Sequence, residues 1–167
     1  NPSFNSTAPG LFVCGSTFAQ SREVIQKIHT AGGRVSYMPE ELIRLEQASK
    51  YAFVKWANEV VALIKKHGKA IVAIHPDTTK GVSMHSAQLR EKMAGLVNEV
   101  LQRSTVQELF IEGGATAWSV INGSDLNQFF PLQELAPGVV RMQIDHTGLF
   151  VTLKPGSYAW PKGIWKF

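Results

Sequence analysis

The tract Glu112-Gly113-Gly114-Ala115-Thr116-Ala117 has residue types and spacing suited to gripping an oxyanion. An apolar β-type run, Glu108-Leu109-Phe110-Ile111, leads into the two glycines, and a helix-like segment from Thr116 to Ile121 leads away. A strand that turns through glycine into a helix leaves backbone N–H groups unpaired at the positive end of the helix dipole. Phosphate binds in that geometry, and glycine keeps a Cβ out of the approach. Gly-Gly at a strand–helix corner also serves plain turn geometry, so the weight of this tract comes from others that match it. Gly15-Ser16-Thr17 follows the run Leu11-Phe12-Val13-Cys14 and combines a glycine with two hydroxyls ahead of a second helix. A simple N-cap is the competing explanation there. Lys154-Pro155-Gly156-Ser157-Tyr158 follows the last apolar run. Its lysine either sets an ammonium on phosphate oxygens or is a surface lysine before a Pro-Gly turn.

Other chemistry is thinner. His75 and Asp77 stand at a strand end and are the best local acid–base candidates, although a satisfied loop histidine competes for His75. Tyr158, Trp160 and Trp165 either wall a flat ring or belong to the core, and the core is favoured. Cys14, within an apolar strand, reads as inert packing. The five histidines show no metal-ligand spacing, and with one cysteine no metal centre is expected. There is neither a Gly-x-x-x-x-Gly-Lys-Ser/Thr loop nor a Gly-x-Gly-x-x-Gly fingerprint.

These loops need elements to hold them, and the pattern alternates strand with helix. Strands are expected at 11–14, 34–38, 70–74, 108–111, 139–144 and 149–153, the last two joined by an Asp145-His146-Thr147-Gly148 turn. Helices are expected after Thr17, whose spacing to Gln20 suits a capping box, after Pro39, from about Gln47 to His67, around 89–101, and after Gly114. Strands separated by helices imply an α/β fold. The expectation is a single three-layer domain with a mixed, mostly parallel sheet, helices on both faces and a C-terminal antiparallel hairpin. Residues 1–10 are expected as a linker or disordered start and 11–167 as the domain. The candidate loops all follow strands, the rim where open α/β sheets collect ligands.

The totals agree with a soluble globular domain: 167 residues, 44% apolar, 18% charged. Its net charge of +4 suits small anionic ligands. The one dense cluster, Lys65-Lys66-His67-Gly68-Lys69, falls at a helix end, so no nucleic-acid partner is expected. No run is long enough to span a bilayer, and no membrane partner is expected. A single cysteine fits a reducing, cytoplasmic setting.

Taken in order, Cys14-Gly15-Ser16-Thr17, Glu112-Gly113-Gly114-Ala115-Thr116-Ala117, Leu135-Ala136-Pro137-Gly138-Val139 and Leu153-Lys154-Pro155-Gly156-Ser157-Tyr158 resemble a known family. They are similar to the C-terminal nucleotide-binding domain of the four-carbon acid sugar kinases, over residues 11 to about 163. The resemblance implies a domain that holds ATP with Mg2+ for transfer to a small acid sugar of the threonate, erythronate or 3-oxo-tetronate type. It also implies an N-terminal acid-sugar-binding domain of the same polypeptide, outside this chain, which would account for the missing initiator Met; alone, this half is expected to bind without turning over. Carried over by tract, Ser16, Gly113, Gly114, Ala115, Thr116 and Gly156 are the ATP-binding positions. Gly15, Thr17 and Lys154 join them from the phosphate-site argument. Ala115 stands where the family favours an acid or polar residue, and the catalytic base is unassigned. A non-catalytic nucleotide- or anion-binding regulatory module is the alternative, a purely structural domain a third. Self-association is left open.

Overall fold

The computed structural model describes residues 4, 7–15, 19–47, 49–81 and 86–167. Short segments, mostly apolar and each holding at least one β-branched residue, form β1 (Gly10–Cys14), β2 (Val35–Tyr37), β3 (Lys69–Ala73) and β4 (Glu108–Glu112). Between and after them lie α1 (Ala19–Gly32), α2 (Glu40–Arg44), α3 (Lys50–His67), α4 (Ser86–Arg103) and α5 (Gly114–Asn122). The last third supplies β5 (Phe129–Ala136), β6 (Val139–Ile144) and β7 (Phe150–Lys154). Local chemistry sets several of these ends. The Ser49 hydroxyl accepts the Ala52 N–H at 3.3 Å to start α3, and Gly68, left-handed at φ 76°, ends it by donating to Ile64 O at 2.7 Å. The expected capping pair of Thr17 with Gln20 falls on a residue outside the described ones.

The seven strands form one sheet in the order β2-β3-β1-β4-β7-β6-β5. Its first five members are parallel; β6 and β5 are antiparallel. On one face α3, α4 and α5 cover Leu11, Val13, Val72, Leu109 and Ile111 with Trp56, Val60, Met93, Val97 and Val120. On the other, Ile25 of α1 and the C-terminal Ile164 close over Phe12, Ile71 and Phe110. The expected α/β class, with helices on both faces of a mixed sheet, is the observed one. Absent from the sequence pattern is β5: it is an edge strand with no fully buried residue, with Pro131 inside it and register shifts on either side of Gln133–Glu134. Proline at an edge costs no ladder bond, so it masks a strand without preventing it. The antiparallel part is therefore three strands, and Pro137-Gly138 is its first turn.

Parallel pairing puts Cys14, Glu112 and Lys154 opposite one another, Cys14 with Glu112 and Glu112 with Lys154, at the carboxyl ends of β1, β4 and β7. The loops that follow these three neighbouring strands share one rim.

Candidate functional site

Gly113 leaves β4 with φ 98° and ψ 127°, a conformation that a residue with a Cβ strongly resists. Its N–H donates to Lys154 O at 2.9 Å, and its carbonyl accepts the Ala117 N–H at 2.9 Å, closing the first turn of α5. With glycine at the N-cap there is no side-chain cap, and the amides of Gly114, Ala115 and Thr116 have no intrahelical acceptor. A Cβ on Gly114 would meet nothing within 4 Å, so this corner opens outward. Gly15, at the end of β1, answers a different demand. A Cβ there would strike Thr116, coming within 3.0 Å of Cγ2 and closer to Oγ1. The β1 loop and the α5 N-terminus thus touch through a glycine.

Above this contact lies a cleft of about 570 Å3 whose lining includes Gly15, Gly113, Gly114, Ala115, Thr116 and Gly156. Six of the nine expected site residues therefore meet at one place. Ser16 and Thr17 lie outside the described residues. Thr116 is almost fully buried, so it floors the cleft beneath Gly15. The lining also holds Arg22 of α1 and Arg90 of α4, neither ion-paired among the described residues. Sequence reasoning missed both. The available signal was their position: each lies within about a turn of the start of a helix that follows a strand on this rim.

Lys154 corrects the expectation of a phosphate counter-charge. Its side chain is closed to solvent, with Nζ 3.1 Å from Glu112 Oε2, itself closed to solvent. It donates to the carbonyls of Pro155 (2.9 Å), Gly156 (3.5 Å) and Tyr158. A buried ammonium needs acceptors around it, and the curl of the Gly156 loop provides them. Lys154 shapes that loop from beneath. Glu112 Oε2 also accepts from Ser21 Oγ at 2.8 Å and Trp160 Nε1 at 2.9 Å, so one carboxylate oxygen ties together α1, β7 and the C-terminal segment. Its Oε1 is buried with no partner among the described residues.

Of the aromatic candidates, Trp160 and Trp165 are partly buried against the core, and Tyr158 is exposed. Trp160 and Trp165 stack at 5.7 Å and both meet Phe12 edge-on, while Tyr158 packs over Gly138. Burial, then the nearby Glu112 carboxylate, push the Cys14 thiol well above its usual pKa, with Lys154 pulling the other way. His75 Nδ1 accepts the Asp77 N–H at 3.2 Å, and both residues line a hollow that adjoins the cleft. Asp77 pairs with Lys80 at 2.6 Å, and that hydrogen bond, more than its charge, holds the carboxyl below its usual range. No group of three or more His, Cys, Asp or Glu side chains is placed to hold a metal among the described residues. No helix among them is long and apolar enough to cross a membrane.

Solved structures with this fold include a Bordetella bronchiseptica domain of unknown function with bound citrate, a domain-swapped dimer. It matches at TM-score 0.69 and 17% identity over 91% of this chain and 38% of its own. A Haemophilus influenzae protein assigned to that same domain of unknown function matches at TM-score 0.69 and 17% identity, over 91% of this chain and 38% of its own. A Salmonella typhimurium protein provisionally described as a tRNA synthase matches at TM-score 0.66 and 13% identity, over 93% of this chain and 40% of its own. This chain thus spans about two fifths of the length of these proteins. Among curated proteins, none matches. The model of the nucleotide-binding C-terminal domain matches residues 11–158, nearly the whole chain and all four of the tracts that carry the resemblance. The chain belongs to that family, the nucleotide-binding C-terminal domains.

Proposed function

We propose that this domain is the ATP-holding half of a kinase that phosphorylates a four-carbon acid sugar of the threonate, erythronate or 3-oxo-tetronate type. The observation that carries the proposal is the junction of three strand-end loops at one cleft floored by the uncapped N-terminus of α5. Three amides at the positive end of a helix, with the Arg22 and Arg90 guanidiniums beside them, suit a triphosphate in charge and shape. In phosphoryl transfer the protein's work is positioning and charge neutralisation. Gly114, Ala115 and Thr116 would receive phosphate oxygens on their N–H groups, and Gly15 and Gly156 would let the ligand close on the backbone. Lys154 would keep the Gly156 loop in its receiving shape.

No carboxylate is among the described residues that line the cleft. The base for the acceptor hydroxyl, and the acid sugar itself, would then come from an N-terminal companion domain of the same polypeptide. Mg2+ would ride on the phosphates, where it adds charge neutralisation. The same absence is what favours the second reading, a nucleotide- or anion-sensing module without chemistry.

Calorimetric titration of the chain with ATP and ADP, with and without Mg2+, tests the binding half. Saturable binding that disappears in Gly114→Val is the expected result, and no heat at millimolar ATP would overturn it. Kinase and sensor separate when a polypeptide carrying both domains is assayed for ATP consumption against a panel of four-carbon acids: consumption with none of them leaves the sensor.

A further inference from the structure

Next to the phosphate cleft, on the same rim, lies a hollow of about 510 Å3. The two linings share Cys14, Arg22, Ile74 and Pro76, so the depressions meet along the ends of β1 and β3 and extend toward β2. The far hollow has an apolar floor of Cys14, Ile25 and Ala73, each at most 4% exposed. Tyr37, ending β2, forms one wall and meets His75 edge-on, ring centroids 4.9 Å apart. Polar groups sit at its border. Gln26 Oε1 accepts from the Tyr37 hydroxyl at 3.3 Å, which leaves the amide hydrogens of Gln26 for another acceptor.

We propose that this hollow takes the nucleobase and ribose of the nucleotide whose phosphates occupy the cleft, the base lying against Tyr37 above the Ile25–Ala73 floor. The proposal rests on the nucleotide-binding reading above. A base has apolar faces and a polar edge, and it needs a site that is dry on one side and hydrogen-bonding at its border. The alternatives fit less well. Trp160 and Trp165 are stacked on each other and meet Phe12 edge-on, with the Trp160 N–H committed to Glu112. The groove between α4 and α5 also adjoins the cleft through Arg90 and Ala115, but Glu91, Ser119 and Asn122 make its lining polar. It also lies beside the helices, away from the strand ends where open α/β sheets place their ligands.

Titration of the chain with two probes, MgATP and inorganic tripolyphosphate, tests this. Gln26 is exposed on α1, so Gln26→Trp fills the hollow without displacing core. It is expected to weaken MgATP about tenfold or more while leaving tripolyphosphate unchanged. Tyr37→Leu is expected to act in the same sense, and Trp118→Ala, in the α4–α5 groove, to change neither probe. Unaltered MgATP affinity in Gln26→Trp and Tyr37→Leu, or a loss in Trp118→Ala, overturns the inference and leaves the phosphate site standing. Equal affinity of the wild-type chain for the two probes does the same. If the wild-type chain binds neither probe, the nucleotide reading fails and the inference fails with it.

Discussion

Lys154 brings a full positive charge to a place closed to water, and only Glu112 and a ring of loop carbonyls make that tolerable. Breaking such a pair from one side leaves an uncompensated buried charge, which costs about 3–5 kcal/mol. Lys154→Met is therefore expected to lower stability by about that much in urea denaturation. Adding Glu112→Gln should give back a large part of the loss, because the stranded charge is removed too. Purely additive losses in that double-mutant cycle would mean that the two groups do not act as a pair. Cys14 stands beside Glu112 in the sheet register, and its raised pKa has a readable sign. Raising the pKa disfavours the thiolate, the reactive form. At pH values near the ~8.5 of an ordinary thiol, the folded chain is expected to react slowly with a disulfide reagent and quickly once unfolded. Labelling of native protein at the rate of a small free thiol would contradict that environment.

At the scale of elements, the β4–α5 corner separates two kinds of glycine. Gly113 is held at φ 98°, so Gly113→Ala is expected to cost about 1–3 kcal/mol of folding stability. Gly114 has open space where its Cβ would be and heads a helix, so Gly114→Ala should fold as well as the parent or gain up to about 1 kcal/mol. Thermal denaturation of the two variants checks this, and equal losses would refute the corner's geometry. Gly15→Ala is a third case, destabilised through its clash with Thr116 and expected to recover partly when Thr116→Ala removes Oγ1 and Cγ2. Much of this corner is legible in the sequence, because β1, β3 and β4 are buried on both faces and read as near-continuous apolar runs, of which β1 and β4 lead straight into a glycine. The rest is hidden for identifiable reasons. The exposed face and proline of β5 erase its alternation, and the role of Lys154 depends on which residue β4 places opposite it. Arg22 and Arg90 reach the cleft only through the phase of their helices against a rim that the topology creates.

Across the whole molecule, the site is assembled from segments near residues 15, 113 and 156, brought together by the neighbouring strands β1, β4 and β7. A ligand that grips all three loops binds only the folded chain, so its binding energy adds to folding stability. At a free concentration one hundred times its Kd that gain is about 2.7 kcal/mol. For a domain of this size each kcal/mol raises the melting temperature by about 2–4 °C, so saturating MgATP is expected to raise it by roughly 5–10 °C. Gly114→Val is the informative comparison, because nothing lies within 4 Å of where its Cβ would sit in the free domain. It should melt close to the parent without ligand and lose the nucleotide-dependent rise. A variant that kept the rise would move the phosphates away from the α5 N-terminus. An equal rise for the parent with sulfate, at the same multiple of its own Kd, would leave the thermal data blind to chemistry, since linkage reads only saturation. Affinity is what must differ: a site spanning three loops should hold a triphosphate far more tightly than a single oxyanion, because only the longer ligand reaches Gly15, Gly114 and Gly156 together.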